Sequence, residues 1–226
     1  MGKPAYVPSE WGRRFHSKRV HELLGAGCAG PGKTYTLRGD FLPQLKVEHD
    51  RTKLDSYHPD FLAPGTSVGW WLYLRRTNNM LEQEIERTQQ IFKRICPAVH
   101  WKNDASGGRT YTFPPSGYKY QLGAMHDIGD YQRYMSNEYT GIALDELVQF
   151  DEEQYDQVTT RVRTSDHVLV EMLRRVSMSN PLMEFDEKAS FVVRDPEWVR
   201  RRFIDPAPEG EVILSRRIDM DDGTTE

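Results

Sequence analysis

Gly27-Cys28-Ala29-Gly30-Pro31-Gly32-Lys33-Thr34 fits the pattern G-x-x-x-x-G-K-[S/T]. Glycines at these positions let backbone N–H groups curl around phosphate oxygens, and Pro31 removes one N–H from that cradle. Lys33 can reach the β- and γ-phosphates of a nucleotide, and the Thr34 hydroxyl can ligate Mg²⁺. Cys28 stands where the loop needs a small residue. The flanks carry the structural half of the reading. Val20–Leu24 is a short, partly apolar lead-in, and a second apolar set, Leu37, Phe41, Leu42 and Leu45, falls on one helical face of Thr34–Leu45. A strand, a glycine-rich loop and a helix follow in order, and the positive end of the helix dipole faces the loop. A loop that merely caps a helix is the plainer alternative.

Further along the chain, strand and helix patterns alternate. Residues 46–66 are charged and contain Pro59, Pro64 and Gly65, which predicts a surface excursion. Val68–Leu74 is aromatic and β-branched and predicts a buried strand. Thr77 or Asn78 can cap a helix reaching Ile95, with Leu81, Ile85, Phe92 and Ile95 on its apolar stripe and Cys96-Pro97 at its end. Short strands are predicted at Val99–Trp101, Arg109–Phe113, Tyr118–Met125, Tyr139–Leu144 and Arg175–Ser179, and polar-rich helices at 151–164 and 165–172. This alternation predicts an α/β fold of the P-loop NTPase kind: a mostly parallel β-sheet flanked by helices, with its ligand at the carboxyl ends of the strands.

Two segments supply candidate chemistry at those ends. Ile142-Ala143-Leu144-Asp145-Glu146 is an apolar strand that delivers two carboxylates. Adjacent strand residues point to opposite sides. Asp145 can therefore hold a hydrated Mg²⁺ while Glu146 activates a water, the division that γ-phosphate hydrolysis needs. Taken alone, the pair reads as acids at a helix N-terminus; the upstream loop tips the balance. In Ser177-Met178-Ser179-Asn180-Pro181, a polar side chain at a strand end can sense the γ-phosphate, or the segment is a plain turn.

Hydrolysis of this kind also calls for a positive charge beyond the lysine. Arg75 and Arg76 follow the aromatic strand, Arg133 precedes Asp145, and Arg161 and Arg163 lie in an acidic stretch. Arg76 is the better candidate within one subunit and Arg133 the candidate donated to a neighbour. Arg200-Arg201-Arg202 beside Trp198 and Phe203 can touch a polyanion or form a solvated face.

The bulk properties bound these readings. The chain has 226 residues, 30 Lys+Arg against 34 Asp+Glu and a net charge of -4, which excludes a histone-like polycation but not a local basic patch. Mean hydropathy is -0.70, and the longest apolar run, Val68–Leu74, is far short of a membrane span. Two cysteines make neither a disulfide framework nor a four-cysteine zinc site, and the histidines lack metal-ligand spacing. The expectation is a soluble protein of a reducing compartment, without a membrane. Basic residues dominate 1–40 and acidic ones 126–171, a split that fits head-to-tail self-association, a metal site or a solvated face.

With these motifs in place, the chain resembles the ATPase region of the large terminase of tailed bacteriophages. The resemblance rests on Gly27–Thr34, on Leu72-Tyr73-Leu74-Arg75-Arg76-Thr77, on Glu138–Leu147, on Ser179-Asn180-Pro181 and on Trp198–Ile204. It implies a RecA-like ATPase using ATP and Mg²⁺, with Glu146 as catalytic glutamate and Ser179 and Asn180 on the motif coupling hydrolysis to movement. It also implies a ring on the portal protein, with a small terminase subunit, moving double-stranded DNA into a capsid in the host cytoplasm. Two features depart from the family. No glutamine lies in residues 4–26 to read adenine, so Trp11 or Phe15 would stack instead. The expected organisation is an ATPase domain over 1–205 and a polar tail over 206–226, without the family's nuclease region, as in an excised or separately encoded motor domain. The alternatives are a helicase- or recombinase-like motor on single strands and a low-turnover nucleotide-bound scaffold.

Overall fold

The computed structural model describes residues 6–18, 20–26, 32–54, 69–103, 108–114, 116–164, 167–180, 183–184, 192–193 and 195–206. The elements in chain order are α1 (Glu10–Ser17), β1 (Glu22–Ala26), α2 (Lys33–Gly39), α3 (Leu42–Leu54), β2 (Trp70–Arg75) and α4 (Asn78–Ile95). Then come β3 (His100–Asn103), β4 (Arg109–Phe113), β5 (Tyr118–Ala124), a 3-10 helix over Ile128–Tyr134 and β6 (Gly141–Asp145). They are followed by α5 (Glu152–Thr159), α6 (His167–Val170), β7 (Arg174–Ser179), the short pair β8 (Met183–Glu184) and β9 (Val192–Val193), α7 (Glu197–Val199) and a π-helical turn over Arg200–Ile204.

Seven strands form one sheet in the order β1-β7-β6-β2-β5-β4-β3. The pairs from β1 through β5 are parallel, and β5/β4 and β4/β3 are antiparallel. The mostly parallel sheet flanked by helices matches the expected class. The antiparallel part arises because β3, β4 and β5 are joined by connections too short for a parallel crossover.

Each face of the sheet has its own core. Trp71, Tyr73, Tyr111, Phe113, Tyr118 and Tyr120 bury one face against Phe41 and the α4 residues Leu81 and Phe92. Phe92 meets Tyr111, Phe113 and Tyr120 edge to face at 4.8–5.2 Å. Such pairs each contribute about 0.5–1.5 kcal/mol beyond area burial. On the other face Leu72, Leu74, Ile142 and Leu144 pack under Tyr134, Tyr155, Trp198 and Phe203. α4 forms where its stripe predicts, and the Thr77 hydroxyl accepts from the Met80 amide as its N-cap, a contact of about 1 kcal/mol.

Two local expectations are corrected. The helix expected over Thr34–Leu45 is two helices, broken at Asp40-Phe41. Pro43 cannot donate an N–H to a continuing helix. The Asp40 carboxylate is drawn aside by His16 at 2.7 Å and Arg174 at 2.9 Å. The excursion expected over 46–66 is helical as far as Leu54, and residues 55–66 lie outside the described set. The charged look of α3 misleads because Glu48 is buried and accepts from the Gly69 amide at 3.3 Å. The neighbouring Gln44 is also buried. It donates to the carbonyls of Thr140 and Met172 and accepts from the hydroxyls of Tyr118 and Thr140.

Candidate active site at the strand ends

The parallel half of the sheet brings Ala26, Ser179, Asp145 and Arg75 to one edge. The register pairs Ala26 with Ser179 and Asp145 with Met178. Residues Gly27, Cys28, Ala29, Gly30 and Pro31 of the phosphate-loop motif lie outside the described set. The motif is described from Gly32, which has φ 79° at the N-cap of α2. A side chain there would meet nothing within 4 Å, so the demand for glycine is conformational rather than steric. Lys33 opens α2 and is buried, and the helix carries it across β7 and β6.

Thr34 lies next to it. Its hydroxyl donates to Asp145 Oδ1 at 3.3 Å, joining residues 111 positions apart. Asp145 is 1% exposed. Its other oxygen accepts from the Tyr73 hydroxyl at 2.6 Å and from the Arg75 guanidinium. Burial, then the Asp145 charge, hold Tyr73 well above its ordinary pKa, so it stays a donor. Arg75 also lies 3.8 Å from Glu84 of α4. Glu84 is buried too and is bound by Arg38 of α2 through both Nε and Nη2. An ionic chain therefore runs Arg38–Glu84–Arg75–Asp145 and ties α2, α4, β2 and β6 beneath the site.

Glu146 departs from the alternation expected of a strand. β6 ends at Asp145, and Glu146 has φ 62° and ψ 59°, the one positive φ outside glycine among the described residues. Such a conformation costs of order 1–3 kcal/mol and persists where its surroundings hold it. Asn180 does so: its side-chain amide donates to Glu146 Oε1 at 2.8 Å and its backbone N–H to Oε2 at 3.3 Å. Ser179 accepts from the Val148 amide at 3.4 Å. The Asn180 Oδ1 is buried without a hydrogen-bond partner.

The two chosen arginines lie elsewhere. Arg76 donates to Gln154 at 2.6 Å and Asp151 at 3.3 Å, so it serves the start of α5. Alternation along β2 explains this: Tyr73 and Arg75 share the face under α2 and α4, and Arg76 turns away. Arg75, named beside Arg76 as a candidate but not preferred, is the one that reaches Asp145, and its two-residue spacing from Tyr73 is the signal for it. Arg133 sits on the 3-10 helix, largely exposed and paired with Asp130 at 3.0 Å, away from Thr34 and Asp145. Phe15 is buried in the core and stacked by Trp11, so it is not placed to stack on a base. In the Arg200–Arg202 run, Arg200 and Arg201 are exposed, which agrees with the solvated face, and Arg202 is partly buried. Arg200 pairs with Asp205, Arg201 with Glu152, and Arg202 with Glu22 and Asp156. Among the described residues no group of three or more His, Cys, Asp or Glu could hold a metal, and no helix is long and apolar enough to cross a membrane.

A phosphate-loop helix set between two parallel strand ends, with its threonine on the carboxylate of one of them, defines a RecA-like P-loop NTPase fold. Within that class, the chain belongs to the terminase large subunit family. The family model for the N-terminal region of the T4-like-virus type matches residues 26–197. Solved structures similar in fold include the HK97 bacteriophage large terminase, with 13% identity, TM-score 0.50 and 79% of this chain and 34% of that chain covered. Another is the large terminase of a thermophilic bacteriophage in complex with ATP-gamma-S, with 14% identity, TM-score 0.52, and 77% and 38% covered. The chain thus spans well under half of the length of these terminases. Comparison with curated proteins found no matching sequence.

Proposed function

We propose that this chain is the ATP-hydrolysing motor region of a DNA-packaging terminase, with residues 1–205 as the ATPase domain and double-stranded DNA as its track. Family membership supports the reading, as does the ATP-gamma-S complex of a structural neighbour. The observation that carries it is the meeting of Thr34, Asp145, Glu146 and Asn180 at one edge of the sheet.

In this reading Gly27–Thr34 cradle the phosphates and Lys33 neutralises the β/γ charge. The Thr34 hydroxyl and the Asp145 carboxylate, 3.3 Å apart, are hard oxygen donors of the kind that suit Mg²⁺. When bound there, Mg²⁺ neutralises charge on the β- and γ-phosphate oxygens. Glu146 accepts the proton of the attacking water. The Asn180 side-chain amide and backbone N–H each bind one of the Glu146 carboxylate oxygens and so fix its orientation. β7 lies between the strand that enters the loop and the strand that carries the carboxylates. Ser179 and Asn180 at its end therefore feel changes on both sides, a natural place to couple hydrolysis to movement. Assembly as a ring on a portal protein, with a small subunit and in the host cytoplasm, completes the reading, and Arg133 is the arginine offered to a neighbouring subunit.

Substitution separates the two carboxylates. Glu146→Gln should bind Mg·ATP yet hydrolyse it at least about 100-fold more slowly, since only water activation is lost. Asp145→Asn should also weaken metal-dependent binding. Nucleotide titration with and without Mg²⁺, beside a turnover assay, measures both; identical behaviour of the two variants contradicts the assigned roles.

A further inference from the structure

The covered face of the parallel strands changes character beyond β2. Leu72, Ile142 and Leu144 lie buried there. The same face continues across β5, β4 and β3 as Lys119, Gln121, Thr110, Thr112, Lys102 and His100. None of these is aliphatic, and His100 and Lys102 are exposed. The reverse face of the same strands is buried and aromatic, so the polarity belongs to one side only. The 3-10 helix flanks this face and closes a cavity of about 690 Å³. Lys102, Arg109, Lys119 and Arg133 line it, and none of the described lining residues is acidic.

The chemistry of this surface narrows its ligand. A protein interface carries an apolar, well-packed centre, and the strand positions here offer none. Lysines on the first and last of three adjacent strands, about 10 Å apart, suit a polyanion rather than a single small anion. The hydroxyls of Thr110 and Thr112 are the kind of neutral donor that accompanies lysine on phosphate oxygens. Single-strand binders present aromatic platforms to bases. Here Trp70 lies under the Lys119 ammonium, 4.4 Å from its ring, and the Tyr134 hydroxyl donates to the Ala124 carbonyl.

We propose that the open face of β5, β4 and β3 binds the sugar–phosphate backbone of duplex DNA, with Lys102 and Lys119 as its charged contacts. This rests on the DNA-packaging reading and assigns the track a place on the chain. The surface lies outside the Thr34–Asp145 site, so contact with DNA does not obstruct entry of nucleotide. Binding is through phosphates, so it is indifferent to sequence, as a motor moving along a whole genome requires.

Anisotropy of a labelled 30-base-pair duplex, titrated with the 226-residue chain across a salt series, tests the proposal. Lys102→Glu/Lys119→Glu should weaken binding at least about 10-fold and lower the salt slope by about 2. Lys93→Glu/Arg94→Glu, the same charge change on the exposed end of α4, should leave affinity within about twofold. Thermal unfolding reports whether each variant folds, and Lys102→Ala/Lys119→Ala serves if the glutamate pair does not. Wild-type affinity in the folded groove variant, or equal loss in both pairs, overturns the groove while leaving the packaging reading standing. Preference for single strands, or a change in self-association without a change in DNA affinity, overturns it as well. Absence of duplex binding by the wild-type chain at low salt overturns the groove and counts against a DNA track for this region.

Discussion

The two halves of the sheet use the same backbone architecture for opposite purposes. From β1 to β2 the strands are parallel and covered on both faces, and Ser179, Asp145 and Arg75 stand at their carboxyl ends. From β5 to β3 the sheet turns antiparallel, one face is buried, and the other carries lysine, threonine and glutamine along its length. A parallel sheet needs a crossover over each face, so its chemistry is confined to the rim. An antiparallel meander needs none, so the part of this face beyond the 3-10 helix, from Lys119 to Lys102, remains accessible to a long ligand. The first arrangement suits a small nucleotide held at a point and the second a polymer laid across a surface.

The largest expected effect falls on the parallel rim. Lys33→Ala should abolish ATP turnover and weaken nucleotide binding, because the β/γ-phosphates lose their point charge. The same variant tests whether the other half reaches a neighbour's site. Lys33→Ala subunits cannot hydrolyse but still carry Arg133, and Arg133→Ala subunits keep an intact loop. Mixing the two should give more turnover than the sum of the separate variants if Arg133 acts across subunits, and no gain if it acts within its own.

A smaller effect is expected beneath the rim. Arg75→Ala leaves Asp145 and Glu84 buried with a partner missing, and removing one member of a buried pair typically costs about 3–5 kcal/mol. Urea unfolding should show this loss, and a change under about 1 kcal/mol would mean the Arg38–Glu84 pair suffices without Arg75. At the border between the halves, Gly123 of β5 faces the Tyr134 ring so closely that an added Cβ would collide with its hydroxyl. Gly123→Ala should cost about 1–3 kcal/mol by overpacking. On the open face itself, Thr112→Ala should change stability by no more than about 0.5 kcal/mol. A cost like that of Gly123→Ala would show that this face is packed rather than open.

The parallel half was the more legible in sequence. The phosphate loop, the strand ending at Asp145 and the cap and stripe of α4 depend on local spacing, and local spacing is what a sequence displays. The misses share a cause, which is dependence on distant partners. Glu48 looks solvated until Gly69 is brought to it, and Asp40 breaks a helix because His16 and Arg174 draw on it. Choosing Arg75 over Arg76 needed the register of β2 against β6. Glu146 read as the next residue of a strand because nothing local announces a left-handed turn; Asn180, far along the chain, holds it. The basic face was spread over three strands whose alternation is plain only when they are laid side by side.

The position of β7 has a consequence for how the chain is made. β1 pairs with β7 alone, and β7 sits between β1 and β6. A nascent chain that has delivered residues only as far as Asp145 can already join β6 to β2 and β2 to β5. It has no strand to seat β1, so Thr34 and Asp145 have no fixed separation. Emergence of Arg174–Ser179 inserts a middle strand between two waiting partners, and Arg202 then fastens Glu22 from still later in the chain. Contacts of such long sequence separation form slowly. The site at the strand ends is therefore assembled only once Ser179 has emerged, in a single closing step rather than by gradual growth of the sheet.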